Sequence, residues 1–186
     1  HARVEEHIAL LDAYGTQMKA GQENLAAGRY FDAEERFTAA LSTRPGDPMA
    51  MVGRVHAQAG AGMFLSAAIN LRGLLTEHPE LASTRYDEKL LPTAERKGKI
   101  IERLDELAGE GAGRGRDPGL VLAYMGFQLG DAAAMNRGLA AMRSGAPAEP
   151  DQLARLADLL TRVWTDSKPA TPPANIGAAD STTVFA

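Results

Sequence analysis

The chain contains no cysteine, and aromatic residues make up only 5% of its 186 positions. The lack of cysteine excludes disulfide bonds, a cysteine nucleophile and thiolate metal ligands. No apolar run approaches the ~18 residues that a membrane-spanning helix needs, so no direct membrane span is expected. The net charge of −4 at pH 7 differs from the basic balance typical of nucleic-acid-binding proteins. Composition therefore predicts a soluble globular chain that does not bind nucleic acid.

The compartment and source are only weakly indicated. A cytoplasmic location is slightly favoured, with an exported or periplasmic one as the alternative, because a targeting signal before His1 would not be visible. Arginine outnumbers lysine by fifteen to five, and alanine and glycine are abundant. This composition is associated with a GC-rich bacterial source.

Glycine and proline recur with a period of 34 residues. The period joins Pro45 to Pro79 and Gly28 to Gly62, and twice the period leads on to Pro147 and Gly130. Residues between these markers also align, such as Ala33 with Ala67 and Phe37 with Leu71. Glycine ends a helix and allows a tight turn, while proline stops the helix that follows. Each unit is therefore expected to be a helix, a tight turn and an antiparallel helix.

Residues 21–45, GQENLAAGRYFDAEERFTAALSTRP, resemble the consensus of the tetratricopeptide repeat (TPR) family. The matching positions are Gly21, Gly28, Tyr30, Ala33, Phe37, Ala40, Leu41 and Pro45. The resemblance implies an all-α, TPR-like α-solenoid of antiparallel helix pairs. It covers residues 14–147, with clear units at 14–46 and 47–80, a degenerate unit at 81–116 and a weak one at 117–147.

The remaining segments are predicted from their local patterns. Residues 1–13 form an N-terminal helical extension, because one apolar stripe (Val4, Ile8, Leu11, Met18 and Leu25) runs along a first helix over about residues 3–27. Residues 80–91 hold only a short helix, and Asp117 with Pro118 caps the helix after a flexible glycine-rich loop. Residues 148–166 form a helix that caps the array. Residues 167–186 form a low-complexity C-terminal tail that ends the chain irregularly.

No catalytic or metal-binding pattern is present. The glycine-rich loop at residues 109–117 has neither a preceding strand nor the Lys-Ser/Thr of a phosphate-binding loop. The four histidines lack the i, i+4 spacing of a helical zinc site, and there is no GxSxG nucleophile motif. We therefore predict a protein that is not an enzyme and that binds no cofactor and no metal.

The resemblance implies a partner groove, because the first helix of each TPR unit lines a concave surface. Carried onto this chain, the groove residues are Met18, Gln22, Leu25, Met49, Val52, His56, Leu120, Tyr124 and Phe127. Aligning Gly53 with Gly21 instead puts Ala50 and Arg54 in the second unit's groove. A further alternative is that several of these residues pack against neighbouring helices. The groove lacks the basic and amide set that clamps a C-terminal carboxylate, so its expected ligand is an apolar extended segment or helix.

Two functions from different classes follow. The first is a non-enzymatic scaffold or adaptor that binds one or more proteins through this groove; a homo-oligomer is allowed but not indicated. The alternative is a structural subunit of a larger multiprotein assembly, anchored by the C-terminal tail. The tail would stay ordered only when docked, through the anchors Ile176, Val184 and Phe185. An enzyme that uses the concave face or the glycine loop is a third, disfavoured interpretation.

Overall fold

The computed structural model describes residues 2–166, and within this range all regular secondary structure is helical, with no β-strand. The eight α-helices are α1 Ala2–Ala26, α2 Tyr30–Thr43, α3 Pro48–Ala61, α4 Phe64–Glu77, α5 Ala94–Ala108, α6 Arg116–Leu129, α7 Ala132–Arg143 and α8 Gln152–Asp166. Two 3-10 turns, Pro79–Ser83 and Glu88–Leu90, lie between α4 and α5. The all-α prediction is confirmed. Across residues 2–166, none of the helices combines the length and the apolar character needed to cross a bilayer.

The periodic glycines end helices, as their spacing predicts. Gly28, Gly62 and Gly130 have φ values of 73°, 79° and 72°. This left-handed conformation is strained for residues with a Cβ atom, so glycine is required at each turn. Asp47 and Asp131 then cap the helices α3 and α7, each accepting a backbone N–H bond of 2.9 Å. Local sequence chemistry therefore determines where these helices begin and end.

Two local predictions differ from the structure. Asp117 does not cap α6, which begins one residue earlier with Gly115 at the N-cap position. Its carboxylate instead accepts a hydrogen bond of 3.0 Å from Arg72 of α4. Residues 80–91 form parts of two 3-10 turns rather than one short helix, because Thr84 adopts an extended conformation between them.

Helix pairs approach closely where one partner carries glycine. The Phe37 ring of α2 lies between α1 and α3, and a methyl group added at Gly21 or Gly53 would lie 2.8 Å or 2.4 Å from it. A methyl group at Gly138 of α7 would lie 2.3 Å from the backbone nitrogen of Ala123 in α6. Helix backbones can come this close only when no side chain separates them.

Consecutive helices pack against each other from α1 to α4, and α4 then packs directly against α6. Helix α6 packs on α7, and α7 packs on α8. The stretch 81–116, which the sequence assigns to a degenerate unit, contains one α-helix rather than a pair. That helix, α5, lies against α3, α6 and α7. The chain between α4 and α6 is therefore placed across helices that precede and follow it.

Candidate protein-binding surfaces

Most of the predicted groove residues lie in the interior. Gln22 and Met49 are exposed and Met18 is half-buried. The buried ones are Leu25, Val52, His56, Leu120, Tyr124 and Phe127. These six residues therefore follow the alternative given above, in which predicted groove residues pack against neighbouring helices. Ala50, from the second register, is also buried, whereas Arg54 is half-buried.

Gly21 and Gly53 occupy equivalent places on either side of the Phe37 ring. Gly21 lies on α1 and Gly53 on α3, and both let this ring approach the helix backbone. This equivalence favours the register that aligns Gly53 with Gly21. In that register Arg54 takes the place of His56 as a groove position, and its guanidinium donates a hydrogen bond of 2.9 Å to Asn70.

A stretch of the chain's own backbone lies against two of the buried groove residues, His56 and Phe127; we call residues 82–93 the crossing segment. Side chains from the helices bind its main-chain atoms. The indole N–H of Trp164 donates to the Ala82 carbonyl at 2.7 Å. The amide of Gln128 makes two bonds, donating to the Thr84 carbonyl at 2.9 Å and accepting from the Tyr86 N–H at 3.1 Å. One amide side chain therefore holds both a donor and an acceptor of an extended backbone.

Two more side chains hold the far end of the crossing segment. His56 donates from Nδ1 to the carbonyl of Leu90, and the Tyr30 hydroxyl accepts from the backbone N–H of Thr93 at 3.1 Å. A carbonyl oxygen can only accept, so the proton of the neutral imidazole is on Nδ1. Nε2 therefore accepts from the Tyr124 hydroxyl at 2.7 Å. Both ring nitrogens are thus used to hold protein groups.

Aromatic side chains line the surface beneath the crossing segment. The Arg85 guanidinium lies 4.6 Å from the centre of the Phe127 ring, a cation–π contact. Phe127 in turn stacks on Trp164 at 4.8 Å between ring centres, with an angle of 10° between the planes. The Tyr86 ring meets His56 edge-on at 5.4 Å. The segment's side chains therefore add contacts to those of its main chain.

The polar groups in this region are held neutral by burial. Complete burial lowers the pKa of His56 from 6.5 to about 4, against the opposing effect of its bond to Leu90. Burial, with a smaller contribution from Glu80, raises the pKa of Tyr86 to about 12. Burial likewise raises the pKa of Tyr124 well above its usual value. Neutral groups are required here because a buried unpaired charge is strongly unfavourable.

The titratable residues of residues 2–166 form no metal-binding cluster, and the glycine-rich loop is held by an ion pair. Over residues 2–166, no three carboxylate or histidine side chains come together in a group that could hold a metal ion. At the end of the glycine loop, Arg116 makes two hydrogen bonds of 2.6 Å and 2.7 Å to the Asp151 carboxylate. This ion pair holds the pKa of Asp151 well below its usual range. The arginine therefore joins the loop to the start of α8.

Apolar side chains are exposed in two other places. The first half of α1 presents Val4, Ile8 and Leu11, which are 62%, 52% and 38% exposed. Helix α2 presents Phe31, and helix α4 presents Leu65 and Ile69. The predicted tail anchors Ile176, Val184 and Phe185 lie outside the described residues.

Sequence reasoning did not assign a role to Gln128, Trp164 or the Tyr30 hydroxyl in holding the crossing segment. One signal was available for Gln128, an amide within the otherwise apolar stretch LVLAYMGFQL of α6. A polar side chain on such a helix is expected to have a hydrogen-bond partner. Its partners, however, lie 42 and 44 positions away. In comparisons with known proteins, the chain matches no family model, no curated protein and no solved structure.

Proposed function

We propose that the protein is a non-enzymatic interaction scaffold of TPR-like helix pairs that binds an extended segment of a partner protein in its groove. The pairs are α1 with α2, α3 with α4, and α6 with α7, and α8 caps the array. The chain from 79 to 115 is inserted between the second and third pairs. The crossing segment, which belongs to this insertion, occupies the groove in the intact chain, so a partner segment competes with it.

The helix order supports the solenoid part of this proposal. Helix α4 packs on α6, as the second helix of one pair packs on the first helix of the next. The left-handed glycines Gly28, Gly62 and Gly130 stand between the two helices of each proposed pair. Repeat arrays bury their apolar faces by stacking neighbouring units in this way.

The set of side chains that bind the main chain of the crossing segment carries the functional part of the proposal. Gln128, Trp164 and His56 come from three helices, and their hydrogen bonds to the crossing segment go to carbonyl or N–H groups of its main chain. Hydrogen bonds to the main chain are available from any extended peptide, whereas contacts such as Arg85 on Phe127 select among sequences. The groove therefore has the features of a peptide-binding site.

The test uses a full chain in which residues 82–91 are replaced by glycine and serine, and a synthetic peptide of residues 79–93. Trp164 is the only tryptophan and donates to the segment, so its fluorescence reports occupation of the groove. We expect saturable binding of the peptide. N-methylation of Tyr86 in the peptide removes the N–H group that donates to the Gln128 amide oxygen. Loss of this hydrogen bond should weaken peptide binding about tenfold, which corresponds to about 1.4 kcal/mol. The same peptide methylated at Arg85 is the control.

A second variant tests the amide itself. Gln128→Met keeps the side chain's length but loses both main-chain bonds, while Gln152→Met makes the same change at the exposed first residue of α8, which is not a predicted groove position. Only Gln128→Met should weaken binding of the peptide. One contrary result is that the chain with residues 82–91 replaced keeps its helical circular dichroism and yet binds no peptide. That result, or equal effects of the two substitutions on peptide binding, would show that the groove is not a peptide-binding site.

A further inference from the structure

The first half of α1 extends beyond the helix on which its second half packs. Helix α1 has 25 residues, whereas its antiparallel partner α2 has 14. Arg44, which follows α2, stacks over the Tyr14 ring at 4.3 Å and marks the point where the two helices part. Residues 3–13 before this point are exposed, apart from His7, whose side chain is not described. At 1.5 Å per residue, these eleven residues project by about 17 Å.

The exposed apolar residues continue a face of α1 that is packed further along the helix. Val4, Ile8 and Leu11, which we call the α1 stripe, follow the 4-3 spacing of a helix-packing face. Steps of seven residues continue this face to Met18, which is half-buried against the cluster of Leu25, Ala33, Phe37 and Ala57, and to Leu25, which is fully buried. The buried half packs on α2, so the geometry of the exposed half suits a helix that continues along the direction of α2.

The charges beside the stripe indicate which kind of helix fits. Residues 3–13 carry one arginine, Arg3, against three carboxylates, Glu5, Glu6 and Asp12. Glu5 and Asp12 each directly follow a stripe position, so they border the contact face. Carboxylates at these positions favour a partner with lysine or arginine along its own borders.

A second copy of the chain fits this charge pattern poorly. An antiparallel pair of stripes that places Ile8 against Leu11 of the second copy also places Glu5 beside Asp12, and does so twice. Like charges at such borders disfavour pairing. We propose that the α1 stripe docks an amphipathic helix of another protein, about three turns long, with basic residues bordering its apolar face.

The test measures binding of two labelled synthetic peptides to the full chain by fluorescence anisotropy. Both peptides carry the same leucine and isoleucine stripe, bordered by lysine in one and by glutamate in the other. The lysine peptide should bind saturably with one peptide per chain, and the glutamate peptide at least tenfold more weakly. Sedimentation equilibrium without peptide measures self-association.

Two matched variants locate the contact. Ile8→Glu places a charge within the stripe, whereas Leu10→Glu places the same charge on an exposed leucine off the stripe. Ile8→Glu should weaken binding of the lysine peptide at least tenfold, and Leu10→Glu less than twofold. Both substitutions make the surface more acidic, so charge alone would affect them equally. Equal effects of the two variants, or equal affinity for the two peptides, would overturn the assignment.

Two further results would replace the proposed occupant with another. Self-association that Ile8→Glu abolishes would make a second copy the occupant. A several-fold gain in peptide affinity after Val184→Ser and Phe185→Ser in the full chain would make the C-terminal tail the occupant. The outcome is independent of the groove experiments, because α1's first half and Trp164 lie on separate surfaces.

Discussion

We expect the stability of the protein to fall as the pH is lowered from 7.5 to 5, because His56 is buried in its neutral form. Its Nδ1 donates to Leu90 and its Nε2 accepts from the Tyr124 hydroxyl. A second proton on the ring would have to go to Nε2, where the Tyr124 hydroxyl could no longer donate. The charged imidazolium would also be completely buried, which is why burial lowers the pKa of His56 to about 4.

The magnitude follows from linkage between proton binding and folding. A group whose pKa is lower in the folded state stabilises the fold fully above the unfolded value of 6.5, and this stabilisation is lost as the pH falls toward 4. Between pH 7.5 and pH 5 the expected loss in the free energy of unfolding is about 2 kcal/mol. With a urea m-value of about 2 kcal/mol/M, the unfolding midpoint should fall by about 1 M.

The assay is urea unfolding followed by Trp164 fluorescence at both pH values, with His56→Asn as the comparison. Asparagine does not titrate but can still donate to the Leu90 carbonyl. The variant should be less stable than the wild type at pH 7.5, because Tyr124 loses its acceptor and a cavity forms. It should also lose most of the pH dependence. If the midpoints of both proteins fall equally, the proton is taken up elsewhere and the reasoning about His56 is wrong.

Two further pairs of substitutions have opposite expected effects, each measured by thermal unfolding. Within the described residues the buried hydroxyl of Tyr86 has no hydrogen-bond partner, so Tyr86→Phe should stabilise the fold by about 1 kcal/mol. Tyr30→Phe loses two hydrogen bonds to the crossing segment, so it should destabilise the fold by about 1 kcal/mol. Gly73 has open space around it, so Gly73→Ala should raise the melting temperature by about 2–4 °C through helix propensity. Gly138→Ala should lower it by a similar or larger amount, because the added methyl group would meet the backbone of Ala123. Shifts of the same sign within either pair would contradict these assignments.

The sequence alone was sufficient for the helix ends at the periodic glycines. Gly28, Gly62 and Gly130 mark left-handed turns, because this effect involves neighbours within a few positions. The predicted cap Asp117 shows where a local pattern fails. A residue from another helix, Arg72, binds its carboxylate, and no local pattern reveals such a competitor.

The tertiary structure decided which surfaces are covered. His56, Gln128 and Trp164 meet the crossing segment from positions 34 to 82 residues away. Their burial therefore depends on the path of the chain between α4 and α6, which has no periodic signal. The apolar stripe of α1 was visible in the sequence, but its division into a packed half and an exposed half was not. That division arises because α2 is eleven residues shorter than α1 (25 − 14), so packing ends where the shorter helix ends.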